Sequence, residues 1–178
     1  MNSIITKNSI RFVILVLLQV LVLNHINFLG YINPYLYILF IVLYPVKNNR
    51  SLFIFLGFLL GLSVDLFSDS GGVHAAASVT LAFIRPAFLK SMFGALYEHQ
   101  TIKFNNIDFV PKLVYISLLT FVHHFILFLL EIFNISKIIL IAQKTLFSSI
   151  FTIILCILVT IIFSRKDTWD NFYFSFQY

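Results

Sequence analysis

Residues 51–89 read SLFIFLGFLLGLSVDLFSDSGGVHAAASVTLAFIRPAFL, two apolar stretches joined by the polar turn Ser68–Asp69–Ser70–Gly71–Gly72. Ser51–Phe67 and Val73–Leu89 are 17 residues each, near the roughly 20 mostly apolar residues that a helix needs to cross about 30 Å of hydrocarbon. Neither stretch alternates polar with apolar residues, as the strands of a membrane barrel do. Lipid offers the backbone no hydrogen-bond partner, and a helix satisfies its amides and carbonyls internally. The segment therefore reads as a membrane-embedded helical hairpin, which places the chain among all-α integral membrane proteins.

The same pattern extends in both directions. Apolar spans are expected at about 10–26, 34–46, 51–67, 73–89, 113–133 and 138–163, a compact bundle of about six transmembrane helices in a single domain covering 1–178. No Asp, Glu, Lys or Arg occurs between Phe12 and Val46, but Asn27, Gly30, Asn33 and Pro34 mark a turn that divides this run. The span at 34–46 is short, so a tilted or re-entrant segment, with five full spans, is the alternative. Pro86 removes an amide donor and is expected to bend the fourth span. Met1–Leu23 has the basic and apolar regions of a signal peptide but no small-residue cleavage pattern, and reads as a retained first span.

Composition agrees. Hydrophobic residues make up 60% of the chain and charged residues 11%, against about 45–50% and about 25% in soluble domains; the mean hydropathy is +0.98. This composition excludes a disordered chain and nearly rules out a soluble globular one. The net charge of +5, from 12 Lys and Arg against 7 Asp and Glu, reflects topology and gives no reason to expect nucleic acid. With both termini in the cytoplasm, that side receives Lys7, Arg11, Lys47, Arg50, Arg85, Lys90, Lys103, Lys112, Arg165 and Lys166. The opposite side receives Lys137 and Lys144, the asymmetry of the positive-inside rule. Tyr31, Tyr35, Tyr44 and Trp169 fall near the expected interfaces. The longest loop, Lys90–Lys112, is cytoplasmic in this reading, with a short amphipathic helix over Phe93–Tyr97. The aromatic tail Asp167–Tyr178 reads as an interfacial segment or a partner-binding peptide. The single cysteine, Cys156, sits in an apolar run and reads as a passive buried thiol.

Gly57, Gly61 and Asp65 are four residues apart and share one helical face. Small residues at that spacing let helices approach closely. Asp65 near the outer end of its span is a structural cap or polar packing group, or a functional contact, because a carboxylate at that depth needs a partner. His74, across the turn, is the natural one. Gly71 and Gly72 permit the turn's backbone angles; Asp69 and Ser70 are candidate caps of the fourth span, or ordinary solvated turn residues. His123 and His124 are adjacent within the fifth span and point about 100° apart, so one is expected to face the bundle. Gln19 and Asn24 are expected to bond between helices. Asp65, His74 and one of His123 or His124 are the only set from which a metal site could be drawn, and no metal is expected. No phosphate-cradling glycine loop and no Ser–x–x–Lys, His–Glu–x–x–His or Gly–x–Ser–x–Gly pattern occurs. The reading is of a non-enzyme without cofactor.

The chain as a whole resembles the rod shape-determining protein MreD family in its divergent Bacteroidota-type form. The resemblance is carried by Gly57–Phe83, where Gly61 and Asp65 fall on the family's glycine and aspartate, Gly71 or Gly72 on its turn glycine, and Ala75–Thr80 on its small-residue helix start; Gln19 and Pro34 also match in placement. The resemblance implies a non-catalytic component of the bacterial inner membrane, multi-pass with cytoplasmic termini. It implies association with MreC and with RodA, a penicillin-binding protein and MreB in the cell-elongation complex that organises peptidoglycan synthesis. It also implies a fold similar to the substrate-binding subunits of energy-coupling-factor transporters. The competing expectation, from Asp65, Asp69, His74 and the fifth-span histidines, is a small-solute binding subunit of a transporter with an enclosed polar cavity.

Overall fold

A computed structural model of the chain describes residues 2–26, 28, 32–46, 49–99, 102, 104 and 107–175, with the side chains of 2–5 and 163–175 outside the described set. The elements are α1 (Asn2–Leu21), α2 (Leu39–Val42), α3 (Arg50–Ser68), α4 (Val73–Glu98), α5 (Phe109–Ile132) and α6 (Ile138–Ser175). Five helices are long and apolar enough to cross a membrane. The chain is a multi-pass, largely helical membrane protein. Leu66, Phe67, Phe83 and Ile162 are 75%, 70%, 57% and 65% exposed, far more apolar surface than water tolerates and ordinary for a surface facing lipid.

The segment at 34–46 corrects the sequence reading. It is not a span-length helix: a 3-10 turn at Leu36–Ile38 runs into the four residues of α2. It is enclosed by protein, with Tyr37, Ile38, Ile41 and Val42 at 0% exposure. The direction of travel follows from its contacts with α1. The Gln19 side chain meets the Pro34 carbonyl and the Arg11 guanidinium meets the Leu43 carbonyl, so the segment runs antiparallel to α1. The Asn24 side chain in turn bonds Ser68, so α1 and α3 run parallel. The short segment thus returns the chain from one end of α1 to the start of α3, between two of the five long helices.

Irregular backbone at membrane depth is tolerated only where protein covers it and its polar groups find partners. Both conditions are met. At one end the Pro34 carbonyl accepts from Gln19 Nε2 at 3.0 Å, and the Tyr37 amide donates to Gln19 Oε1 at 3.4 Å. The Tyr35 amide donates to Thr152 Oγ1 at 3.0 Å. At the other end Arg85 Nη2 donates to the carbonyls of Val42 at 3.1 Å and Tyr44 at 2.5 Å, and the Tyr115 hydroxyl donates to Val42 at 3.2 Å. Gln19 and Arg85 are polar residues in apolar helices because a helix is missing between them.

The α3–α4 hairpin is the closest helix pair. A Cβ at Gly57 would meet Ala82 Cβ at 3.2 Å, whereas one at Gly61 would lie 2.5 Å from Ala75 Cα and 2.6 Å from its amide nitrogen. α4 continues past the expected end at 89 to Glu98, and its one non-helical residue is Gly94 (φ 41, ψ −114). The amphipathic piece expected over Phe93–Tyr97 is therefore the far end of α4, around the break at Gly94. Tyr35 and Tyr44, expected at the interfaces, are inside the body at 8% and 4% exposure. Tyr31, Lys47, Lys103 and the side chains of Arg165, Lys166 and the 167–178 tail lie outside the described residues.

Candidate functional site

Polar side chains gather at the end of the bundle that carries the turn 69–72. α3 closes with Asp69 in the left-handed region (φ 50), its amide bonded to the Asp65 carbonyl. Gly71 and Gly72 follow at φ 67 and 94, and a Cβ at either would meet nothing within 4 Å; glycine is needed there for backbone conformation and not for space. Gly72 sits at the N-cap of α4 and has no side chain to offer, so the first amides of α4 need an acceptor from elsewhere.

Asp65 supplies it from the neighbouring helix. Its Oδ1 accepts the His74 amide at 3.0 Å and its Oδ2 accepts the Ala75 amide at 2.8 Å. Oδ1 also accepts from Ser70 Oγ at 2.5 Å and from His74 Nδ1 at 2.9 Å. A carboxylate at a helix N-terminus also meets the positive end of the helix dipole. The candidates Asp69 and Ser70 therefore do not cap α4: Asp69 ends α3, and Ser70 bridges Asp65 and His74. Asp65→Ala leaves two buried amides without acceptors and is expected to cost about 1–2 kcal/mol. Hydrogen exchange should accelerate selectively at His74 and Ala75, and unchanged protection there would refute the cross-helix cap.

Behind this pair lies an aromatic and histidine cluster. The His74 ring is 5.5 Å from Tyr35 and 5.9 Å from Tyr37. The Tyr37 hydroxyl shares a hydrogen bond with His123 Nε2 at 2.9 Å. His124 donates Nδ1–H to the Thr120 carbonyl at 2.8 Å, and its Nε2 accepts from the Thr152 hydroxyl at 3.1 Å. Both histidines are fully buried, which corrects the expectation that only one faces the interior. They do diverge as adjacent helical residues must, but α5 packs against both α4 and α6, so each direction is covered by protein. Asp65 and His74 meet, whereas His123 and His124 pair with Tyr37 and Thr152. Among the described residues no group of three His, Cys, Asp or Glu side chains converges as a metal site.

An open cleft of about 390 Å³ enters from this end, with Asn24, Tyr35, Phe67, Ser68, His74 and Glu131 on its walls. Gln19 stands just below, linked through Asn24 to Ser68. The cleft is open, unlike the enclosed cavity expected for a solute-binding subunit.

Sequence reasoning gave Arg85 only a topological role. It is 3% exposed, with Nε donating to the Tyr115 hydroxyl at 2.9 Å and its guanidinium 5.1 Å from the Phe53 ring centre and 5.9 Å from that of Phe104. The available signal was an arginine inside an apolar helix, which needs partners within the protein. Tyr37, Tyr115 and Thr152 carried no comparable signal.

Compared with family models, with characterised proteins and with solved structures, the chain gives no match in any of the three.

Proposed function

We propose that this protein is a non-catalytic subunit of the bacterial cell-elongation complex, held in the inner membrane, where it binds MreC and helps organise peptidoglycan synthesis with RodA, a penicillin-binding protein and MreB. The observation that carries this reading is the α3–α4 hairpin. Gly61 and Asp65, on which the family resemblance rests, are the residues that close it: one by backbone contact with Ala75, the other by capping α4. The interior is occupied by the chain's own short crossing segment and its hydrogen-bond partners, an arrangement suited to a rigid body that presents surfaces to other proteins. Arg11, Arg50, Arg85 and Lys112 lie at the end opposite the turn, and by the positive-inside rule this supports the reading of that end and both termini as cytoplasmic. Five long helices around a buried short segment are the outline in which a similarity to energy-coupling-factor substrate subunits is to be sought.

A cross-linking pull-down from native membranes tests the proposal. Recovery of MreC and RodA is the expected result. Recovery of transporter ATPases without MreC would replace it with the solute-binding reading.

A further inference from the structure

The tip of the α5–α6 hairpin is built unlike the other turn at the same end of the bundle. Glu131, near the end of α5, shares the open cleft with Ser68, Ser70 and His74, so the two turns are neighbours. One is the polar turn Ser68–Gly72. The other carries Phe133 and Ile135 at 86% and 79% exposure. Every residue from Phe133 to Leu140 is exposed, including Ile138, Ile139 and Leu140 at the start of α6. The body covers the chain again at Ile141.

Phe133 supplies a second observation. It ends α5 in the left-handed region (φ 43), where glycine or asparagine is usual and a bulky residue is an outlier. Its exposure leaves the side chain almost without packing inside the protein, so what offsets the strained backbone lies outside the chain.

Shape and backbone chemistry narrow the occupant. Ile138, Ile139 and Leu140 are successive helical residues about 100° apart, so their apolar surface faces three directions. A protein partner covers one face, whereas lipid surrounds. The turn also meets its own backbone needs, as lipid requires. The Phe133 amide donates to the Leu129 carbonyl, the Ser136 amide to the Asn134 side chain, the Lys137 amide to the Asn134 carbonyl and the Ile138 amide to the Ile135 carbonyl.

Polar groups set the depth. Gln143, one turn after Ile139, is exposed, and Lys144 bonds Glu131 at 3.0 Å. Lys137 is exposed and pairs with no carboxylate among the described residues. Such a mixture suits the boundary between headgroups and acyl chains, where apolar side chains enter and a lysine stem reaches up to phosphate.

We propose that Phe133–Leu140 is a lipid-binding tip, seated at the headgroup–acyl boundary of the leaflet on the turn side. Phe133, Ile135 and Ile139 lie among the upper acyl carbons, and the Lys137 ammonium meets lipid phosphate. The tip fixes the depth of the α5–α6 hairpin while the polar turn beside it stays in water. The assignment is independent of which complex the chain joins.

The test uses the full chain with Cys156→Ala, in nanodiscs of phosphatidylcholine and phosphatidylglycerol. A nitroxide label is attached at Phe133→Cys or Ile139→Cys, with Ile135→Cys as a further position should either fail to fold. Asp69→Cys on the polar turn and Ile150→Cys on the exposed face of α6 are the references. Electron paramagnetic resonance reads collisions with oxygen, which concentrates in lipid, and with a water-soluble nickel chelate. The oxygen-to-nickel ratio at 133 and 139 is expected to be severalfold above that at 69 and below that at 150. Lys137→Glu should move the ratio at 139 toward that at 69. A ratio at 133 and 139 equal to that at 69 would put the tip in water, as a protein-docking knob would be, and overturn the proposal. Suppressed collisions with both reagents would mean that a second copy covers the tip, and a ratio equal to that at 150 would mean deep burial in hydrocarbon; either overturns it. An unchanged ratio in Lys137→Glu overturns the phosphate contact.

Discussion

Arg85→Met is expected to lower the stability of the folded protein by about 2–4 kcal/mol, read as an earlier loss of the monodisperse species on heating in detergent. Two effects oppose each other. Removing a guanidinium that is 3% exposed relieves its desolvation, which favours the variant. Against this, the Tyr44 carbonyl loses the hydrogen bond it accepts from Arg85 Nη2, and a hydrogen bond to a charged group contributes about 1.5–3 kcal/mol. The ring contacts with Phe53 and Phe104 add about 0.5–2 kcal/mol. The Val42 carbonyl keeps the Tyr115 hydroxyl, which is why the loss is not larger. Arg85→Lys keeps the charge but loses the planar fork that reaches Tyr115, Val42 and Tyr44 together, and should fall between. Hydrogen exchange should rise over 36–44 in both variants. A melting profile identical to that of the parent would mean that packing alone holds the crossing segment.

The second large effect is at Gly61. Gly61→Ala is expected to cost about 3 kcal/mol or more, at or above the usual range for overpacking, because the added methyl would meet the Ala75 backbone at 2.5–2.6 Å. A side chain can change rotamer to make room, but a helix backbone can only move as a whole. Gly57→Ala is the internal control. Its nearest neighbour is the Ala82 methyl at 3.2 Å, so a shift of a few tenths of an ångström suffices and the cost should be about 1 kcal/mol. Thermal unfolding of the two variants side by side checks the gradient, and equal losses would contradict it. Under the proposed function, Gly61→Leu should also reduce recovery of MreC.

The hairpin was legible before any coordinates because its contacts are local. Gly57, Gly61 and Asp65 follow the helical repeat, and Asp65 meets His74 only nine residues away. What the pattern could not reveal was the kind of partnership. A turn with Asp69 and Ser70 offered two ordinary caps, and the acceptor came instead from the preceding helix, because Gly72 at the N-cap has no side chain.

Other parts required distant neighbours. Tyr35 is secured by Thr152, 117 residues away, and Arg85 by Tyr44, 41 residues away. Hydropathy marks 34–46 as greasy but is blind to whether lipid or protein surrounds it. His123 and His124 posed the same problem, since two adjacent helical residues both turn inward only when helices cover both directions.

Composition and run length alone established that the chain lives in lipid as long helices, because hydrocarbon leaves the backbone no other way to satisfy its amides and carbonyls. Which apolar run is allowed to abandon the helix, and which polar side chains compensate for it, was settled by three-dimensional packing. Gln19, Thr152 and Arg85 sit on three different helices, and only their assembly around residues 34–44 supplies the hydrogen bonds that lipid withholds.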